Sequence, residues 1–273
     1  MMPDDGSAAR RDGVRDSSGD DRGLGLVLSG GGAFGAAHVG VLQVLAERGI
    51  RPGIAVGTSS GALVAAAYAA GFSVDAIERA ARAFRWRQIA RWTNTARWGL
   101  LDTVATREAV HRIFGADPSI EDLPRVFGAY ATNLRTREGV ILDRGPLSTA
   151  LRSTIAVPGL LPPVRHEGML LVDGGMIDNV PVVAARALGA ERVIVVRLHA
   201  KWENVRMMRT VTRTAALAAD ESVLLIQPEM QRRAQWTMRD VPLLIAEGRR
   251  AGEEALQRAA LRPGADGFLR LPR

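Results

Sequence analysis

Three short runs carry the chemistry this sequence can offer. Gly57-Thr58-Ser59-Ser60-Gly61 has the form G-x-S-x-G and sits between the apolar stretch IAVG (54–57) and the apolar pattern SGALVAAAYAAG (60–71). A sharp strand-to-helix turn forces the central serine into a strained, exposed position, and small flanking residues let the backbone make the turn. Ser59 then stands at a helix N-terminus, where the backbone dipole favours developing negative charge. An ordinary Gly/Ser turn that caps a helix is the competing reading. A serine nucleophile also needs a base. The four histidines, His38, His111, His166 and His199, lie far apart and in no recognisable motif. Asp173 does stand in one: it closes the apolar run MLLV and precedes Gly174 and Gly175, which leave room for backbone or substrate. A carboxylate serves as base for an alcohol only if it is desolvated and within about 2.6–3.2 Å of the hydroxyl. A turn-forming aspartate before two glycines is the alternative.

The third run is LSGGGAFGAAH (28–38), glycine-rich between an apolar run and a helical pattern. Such loops hold negative charge on backbone N–H groups, either phosphates or a transient oxyanion. Gly30, Gly32 and Gly35 fit G-x-G-x-x-G, the dinucleotide fingerprint, whose ribose-binding acid should follow about 20 residues later. No Asp or Glu occurs between Glu47 and Asp75, and Arg51 precedes the second strand rather than ending it. A nicotinamide or flavin site is therefore disfavoured.

These runs need elements to hold them. LGLVLS (24–29) reads as a buried strand. AAHVGVLQVLAERG (36–49) spaces Val39, Leu42, Val44 and Leu45 as a helix ending at Gly49, a good residue just past a helix end. IAVG is a second strand and 60–71 a helix apolar nearly all round, hence buried. This strand–helix–strand–helix order predicts an α/β protein with a parallel sheet covered by helices. Strands are expected at 126–134, 139–143, 169–175 and 191–198. Helices are expected at 147–156, at 180–189 behind an Asn179 cap, and over most of 201–273.

Composition bounds the rest. At 273 residues and 47% hydrophobic, the chain can bury a sizeable core. It has no cysteine, so disulfides and thiolate metal sites are excluded, and the histidine spacing favours no metal. The formal charge of +7 rests on arginine, with Lys201 the sole lysine, and no nucleic-acid-binding motif accompanies it. Residues 1–22 are polar and glycine-rich and are expected to be a disordered tail. No apolar stretch follows Arg10-Arg11, and GALVAAAYAAGF (61–72) falls short of the roughly 20 residues a bilayer span needs. A cytoplasmic protein is expected.

Residues 78–98, ERAARAFRWRQIARWTNTARW, combine six arginines with three of the chain's five tryptophans. At helical spacing Ile77, Ala81, Phe84 and Trp92 share a face, and Trp86 lies opposite among Arg79, Arg82 and Arg85. Tryptophan among arginines suits a lipid interface, so Trp86, Arg82 and Arg85 are candidates for peripheral contact at the inner membrane. Arginine stacking on tryptophan in water is the alternative.

GGGAFG (30–35), GTSSG (57–61) and DGG (173–175), in this order, resemble the patatin-like phospholipase family, in particular its short bacterial members. The resemblance extends through GAAHVGVLQVLAERGI (35–50), IAVPGLLPPV (155–164) and VDGGMIDNVPV (172–182), covering about residues 24–200. It implies a three-layer α/β sandwich with a mainly parallel central sheet. Residues 23–200 would form the catalytic domain, and 201–273 helices packed on it. It further implies a Ser–Asp dyad, Ser59 with Asp173, acting on lipid esters through an acyl-enzyme, with no cofactor and no metal. The glycine loop would supply oxyanion N–H donors from Gly30, Gly31, Gly32 and Ala33, while Gly35, Gly57, Gly61, Gly174 and Gly175 belong to the motifs. One position departs: Phe34 stands where the family commonly carries Arg or Lys. The alternative implied by that change is a catalytically weak or inactive membrane-associated member.

Overall fold

The computed structural model describes residues 20–86, 91–92, 101–102, 104–198, 214–230, 237–259, 262–263 and 269–270. Strand β1 (Asp21–Leu28) leads through a 3-10 turn (Gly32–Gly35) into α1 (Ala36–Glu47); β2 (Pro52–Thr58) leads directly into α2 (Ser60–Ala69). Next come α3 (Val74–Ala83), the short strands β3 (Arg91–Trp92) and β4 (Leu101–Asp102), and α4 (Val104–Phe114). Then follow β5 (Val126–Asn133), β6 (Glu138–Leu142), α5 (Leu147–Thr154), β7 (Val164–His166) and β8 (Met169–Asp173). The chain continues through α6 (Val182–Ala187), β9 (Arg192–Val196), α7 (Thr214–Ala219), β10 (Val223–Ile226) and α8 (Val241–Arg258) to the short pair β11 (Arg262–Pro263) and β12 (Leu269–Arg270).

Eight strands form one sheet in the order β10-β9-β1-β2-β5-β8-β7, with β6 also paired to β5. The five strands from β10 to β5 run parallel, whereas β6, β8 and β7 pair antiparallel. Consecutive side chains leave a strand on opposite faces. Leu26 and Leu28 enter the larger core with α1, α2 and α8, while Val27 between them enters a second core with Val180, Ala184 and Ala185. Both faces are thus covered, which makes a three-layer α/β arrangement and explains why β1, β2 and β9 read as continuous apolar runs. Helices α1 and α8 cross at Gly40 and Gly248: a Cβ on either would run into the carbonyl oxygen of Ile245 or Ala37.

Strand β1 begins at Asp21, inside the segment read as a tail; Asp20 forms a buried ion pair with Arg125, 2.8 Å from Nε. Residues 1–19 lie outside the described residues. After residue 200, expected to be mostly helices, the described residues form α7 and α8 and also β10, a four-residue strand, VLLI, that extends the sheet beside β9. The expected helix through 78–98 is corrected. Helix α3 stops at Ala83, Phe84 is extended at its end, and Arg91–Trp92 pairs with Leu101–Asp102 as strand. Residues 87–90 and 93–100 lie outside the described residues.

Candidate active site

The strands β1 and β2 are adjacent; the chain goes on from β2 to β5 on one side and only after β8 returns to β9 on the far side of β1. The carboxyl ends at this reversal are where open α/β sheets bind ligands. Both glycine-containing loops emerge there. Ser59 has φ 53° and ψ −125°, one of three non-glycine residues with positive φ among the described residues. Such a conformation costs on the order of 1–3 kcal/mol and persists only where the surroundings impose it. They do so here by close approach: α2 lies so near β1 that a Cβ on Gly61 would meet the carbonyl oxygens of Leu28 and Ser29. The Ser59 N–H donates to Thr154 Oγ1 at 2.9 Å, and that hydroxyl donates to the Tyr130 carbonyl at 2.6 Å.

Asp173 ends β8 opposite Ala131, one residue along β5 from Tyr130, which pairs with Thr58. Strand β6 fills the other edge of β5 over 129–133, so β2 and then β8 pair along one and the same edge, and Asp173 stands next to the end of β2, at the turn that carries Ser59. It is 1% exposed. Its Oδ1 accepts from the Gly175 N–H at 2.8 Å, and its Oδ2 is buried without a hydrogen-bond partner. Burial pushes its carboxyl up to about 6, opposed in smaller measure by the Gly175 N–H and by the nearby Ser59 hydroxyl. The Asp173 N–H donates to Ala156 O at 2.9 Å, so the end of α5 holds the backbone of both residues.

Asn179, expected as a helix cap, holds the glycine loop instead. Its Oδ1 accepts from the Gly30 N–H at 3.0 Å and its Nδ2 donates to the Gly30 carbonyl at 3.1 Å. Helix α6 starts at Val182 with Pro181 before it, a residue whose fixed φ suits a helix entry. The Gly31 N–H donates to Ser60 Oγ at 3.1 Å. Gly32 and Ala33 are the first two residues of the 3-10 turn, so their N–H groups have no acceptor inside it. Below the loop, His38 Nε2 donates to Ser29 O at 2.8 Å; a carbonyl only accepts, which fixes the proton on Nε2. Burial lowers the pKa of His38 to about 4, so the ring is neutral.

The chain belongs to the patatin-like phospholipase family. The match covers residues 26–186, which include all three motifs. The chain is 35% identical over 216 residues to an uncharacterised NTE family protein of Mycobacterium tuberculosis, covering 73% of this chain and 59% of that relative. It is 34% identical over 177 residues to lysophospholipase NTE1 of Mycosarcoma maydis, covering 63% of this chain and 9% of that much longer protein. Among solved structures, VipD from Legionella pneumophila matches with a TM-score of 0.59 at 14% identity, over 88% of this chain and 67% of VipD, a likeness of fold.

In this patatin-like chain, Phe34 is 1% exposed and belongs to the main core. The position that resemblance assigns to a cation therefore packs inward here and stabilises the loop by burial, worth about 1.5–3 kcal/mol for a full phenylalanine. His111 is exposed in the last turn of α4, and His166 on β7 lies 3.9 Å from the exposed Glu167. Neither bonds Ser59 or Asp173, and His199 lies outside the described residues. No group of three metal-ligating side chains occurs among the described residues. Trp86 is half-buried: its ring meets Phe84 edge-on at 5.4 Å, and both pack with Leu63 and Leu160 on the buried Ile155 and Leu161. Arg82 and Arg85 are exposed; Arg82 pairs with Glu78 at 2.6 Å, and Arg85 caps α3 by donating to Arg82 O at 3.1 Å. Thr154, Asn179 and Ser60 are the site residues that sequence reasoning missed. They carry no motif chemistry of their own and act through partners remote in sequence.

Proposed function

We propose that the protein is a serine lipid acyl hydrolase that cleaves fatty-acyl esters of phospholipids or lysophospholipids. Ser59 is the nucleophile and Asp173 its base. The observation that carries this reading is a serine in a strained conformation heading a helix, near a buried carboxylate that has one oxygen unpartnered. Asp173 Oδ2 takes the hydroxyl proton as Ser59 Oγ attacks the ester carbonyl. The oxyanion is held by the N–H groups of Gly32 and Ala33, while Gly30 and Gly31, whose donors are spent internally, shape the loop. Collapse expels the alcohol, which takes the proton from Asp173, and leaves the acyl group on Ser59. Water, deprotonated by Asp173, then releases the fatty acid and restores the serine. One well-aligned oxyanion donor is worth about 2.7–4 kcal/mol in a well-studied hydrolase, which lets backbone amides serve without a cation at position 34. The lysophospholipase name of the fungal relative supports single-chain phospholipids as substrates to test first.

The test is labelling with a fluorophosphonate probe alongside hydrolysis of lysophosphatidylcholine. The wild type should label and hydrolyse; Ser59→Ala should do neither; Asp173→Asn should label at least a hundredfold more slowly. Labelling that persists in Ser59→Ala overturns the nucleophile, and a wild type that neither labels nor hydrolyses favours an inactive member.

Peripheral membrane contact belongs to the same reading. The Phe84–Trp86 pair and Leu160 present apolar surface next to exposed Arg82 and Arg85, and Ile155 beneath them adjoins Thr154, which bonds the nucleophile. Tryptophan beside arginine suits the headgroup region of an anionic surface. Among the described residues, no helix is long and apolar enough to cross a membrane. Co-sedimentation with anionic liposomes should fall for Trp86→Ala and with added salt. Equal, salt-insensitive partitioning of both proteins overturns the contact.

A further inference from the structure

We infer that Thr154 is the positioning residue of the nucleophile: its hydroxyl fixes the backbone of Ser59 in the conformation from which Oγ can attack. The inference rests on the assignment of Ser59 as nucleophile. A threonine hydroxyl has one proton and two lone pairs. The Tyr130 carbonyl, at 2.6 Å, can only accept and so takes that proton. The hydroxyl must then turn a lone pair to the Ser59 N–H at 2.9 Å, and the polarity of the relay is set. The N–H and the hydroxyl belong to residues screened from water: Ser59 is 6% exposed and Thr154 fully buried. A buried N–H with no acceptor is costly, so the bond cannot be exchanged for solvent.

The relay acts at a strained point of the chain. Ser59 has φ 53°, and its own N–H lies on the torsion that must be held. Without an acceptor at Thr154, the peptide between Thr58 and Ser59 can rotate toward ordinary angles and carry Oγ off its line to the ester. The Tyr130 carbonyl belongs to β5, along one edge of which β2 and then β8 pair. Thr154 therefore references the serine to the same strand against which Asp173 is registered, through Ala131. Two residues on, the Ala156 carbonyl accepts the Asp173 N–H at 2.9 Å. The segment 154–156 thus spans the two members and sets their separation.

Thr154→Val keeps the shape and removes the hydroxyl; Thr154→Ser keeps the hydroxyl. At a temperature where circular dichroism shows all proteins fully folded, Thr154→Val should lose about 10- to 100-fold in kcat with KM within twofold, the scale expected of a misplaced reacting group. Its fluorophosphonate labelling rate should fall in parallel, and Thr154→Ser should return to within threefold of wild type in both. The apparent pKa of the rate profile should stay where it is, because Thr154 does not touch Asp173. A folded Thr154→Val with wild-type kcat overturns the inference, as does a Thr154→Ser no better than the valine variant. Labelling that persists in Ser59→Ala overturns the nucleophile assignment itself, and this inference with it; absence of labelling in the wild type does the same.

Discussion

Asp173→Asn is expected to remove activity and, above pH 6, to stabilise the fold. Burial holds the Asp173 carboxyl at about 6 against an ordinary 3.8. At about 1.4 kcal/mol per unit, keeping this group ionised in the folded state costs roughly 3 kcal/mol. A folded pKa that is raised gives stability that is full below pH 3.8 and lost as pH rises through 6. Asparagine is neutral throughout and still offers an oxygen to the Gly175 N–H, while its new Nδ2 can donate to Ser59 Oγ. The stability of the variant relative to wild type should therefore rise by roughly 3 kcal/mol between pH 4 and pH 8. His38 has the opposite sign. Its pKa is lowered by burial from 6.5 to about 4, so its contribution is full above 6.5 and lost toward pH 4. That loss is present in both proteins and cancels in the difference. Wild type, with both groups, should change little over this range on their account, while the variant, deprived of the aspartate's compensation, should become acid-labile. Urea unfolding at pH 4.5, 6 and 8, followed by tryptophan fluorescence, measures the difference. A difference flat with pH, or one that shrinks as pH rises, refutes the reasoning.

Three other outcomes follow from the same geometry. The pH profile of kcat/KM should climb about tenfold per unit below pH 6 and level above it, as Asp173 becomes a base; a rate independent of pH from 5 to 8 contradicts this role. Asn179→Ala should cost about 2–3 kcal/mol in urea unfolding, because it strands the buried Gly30 N–H and carbonyl together, and should slow hydrolysis by loosening the loop; unchanged stability would show that the loop holds itself. Gly61→Ala should fail to give a folded chain by size exclusion and circular dichroism, since its Cβ meets two backbone carbonyls that cannot move without separating α2 from β1.

The sequence by itself determined the local features. Residues 26–61 were legible as strand, glycine loop, helix, strand and serine turn, because burial on both sheet faces leaves continuous apolar runs and turns demand small residues. Ser59 was visible for the same reason: its environment is built by its own neighbours, as was the aspartate that closes β8. What the sequence left open was every contact made between distant segments. The run VLLI at 223–226 is too short for periodicity to choose strand over helix, and only the exposed edge of β9 decides it. Helix periodicity carried the reading of 78–98 past Ala83, where the chain instead turns Phe84 and Trp86 onto Ile155 and Leu161. Asn179 precedes a helix and looked like its cap, yet its amide is satisfied by Gly30, 149 residues away. Thr154 has no motif, and it bonds Ser59 across 95 residues. Packing also separated the loop's donors, spending Gly30 and Gly31 on the fold and turning Phe34 into the core. Tertiary structure alone decided these points because a hydrogen-bond partner is fixed by the path of the whole chain, whereas a turn or an apolar run is fixed by the residues within it.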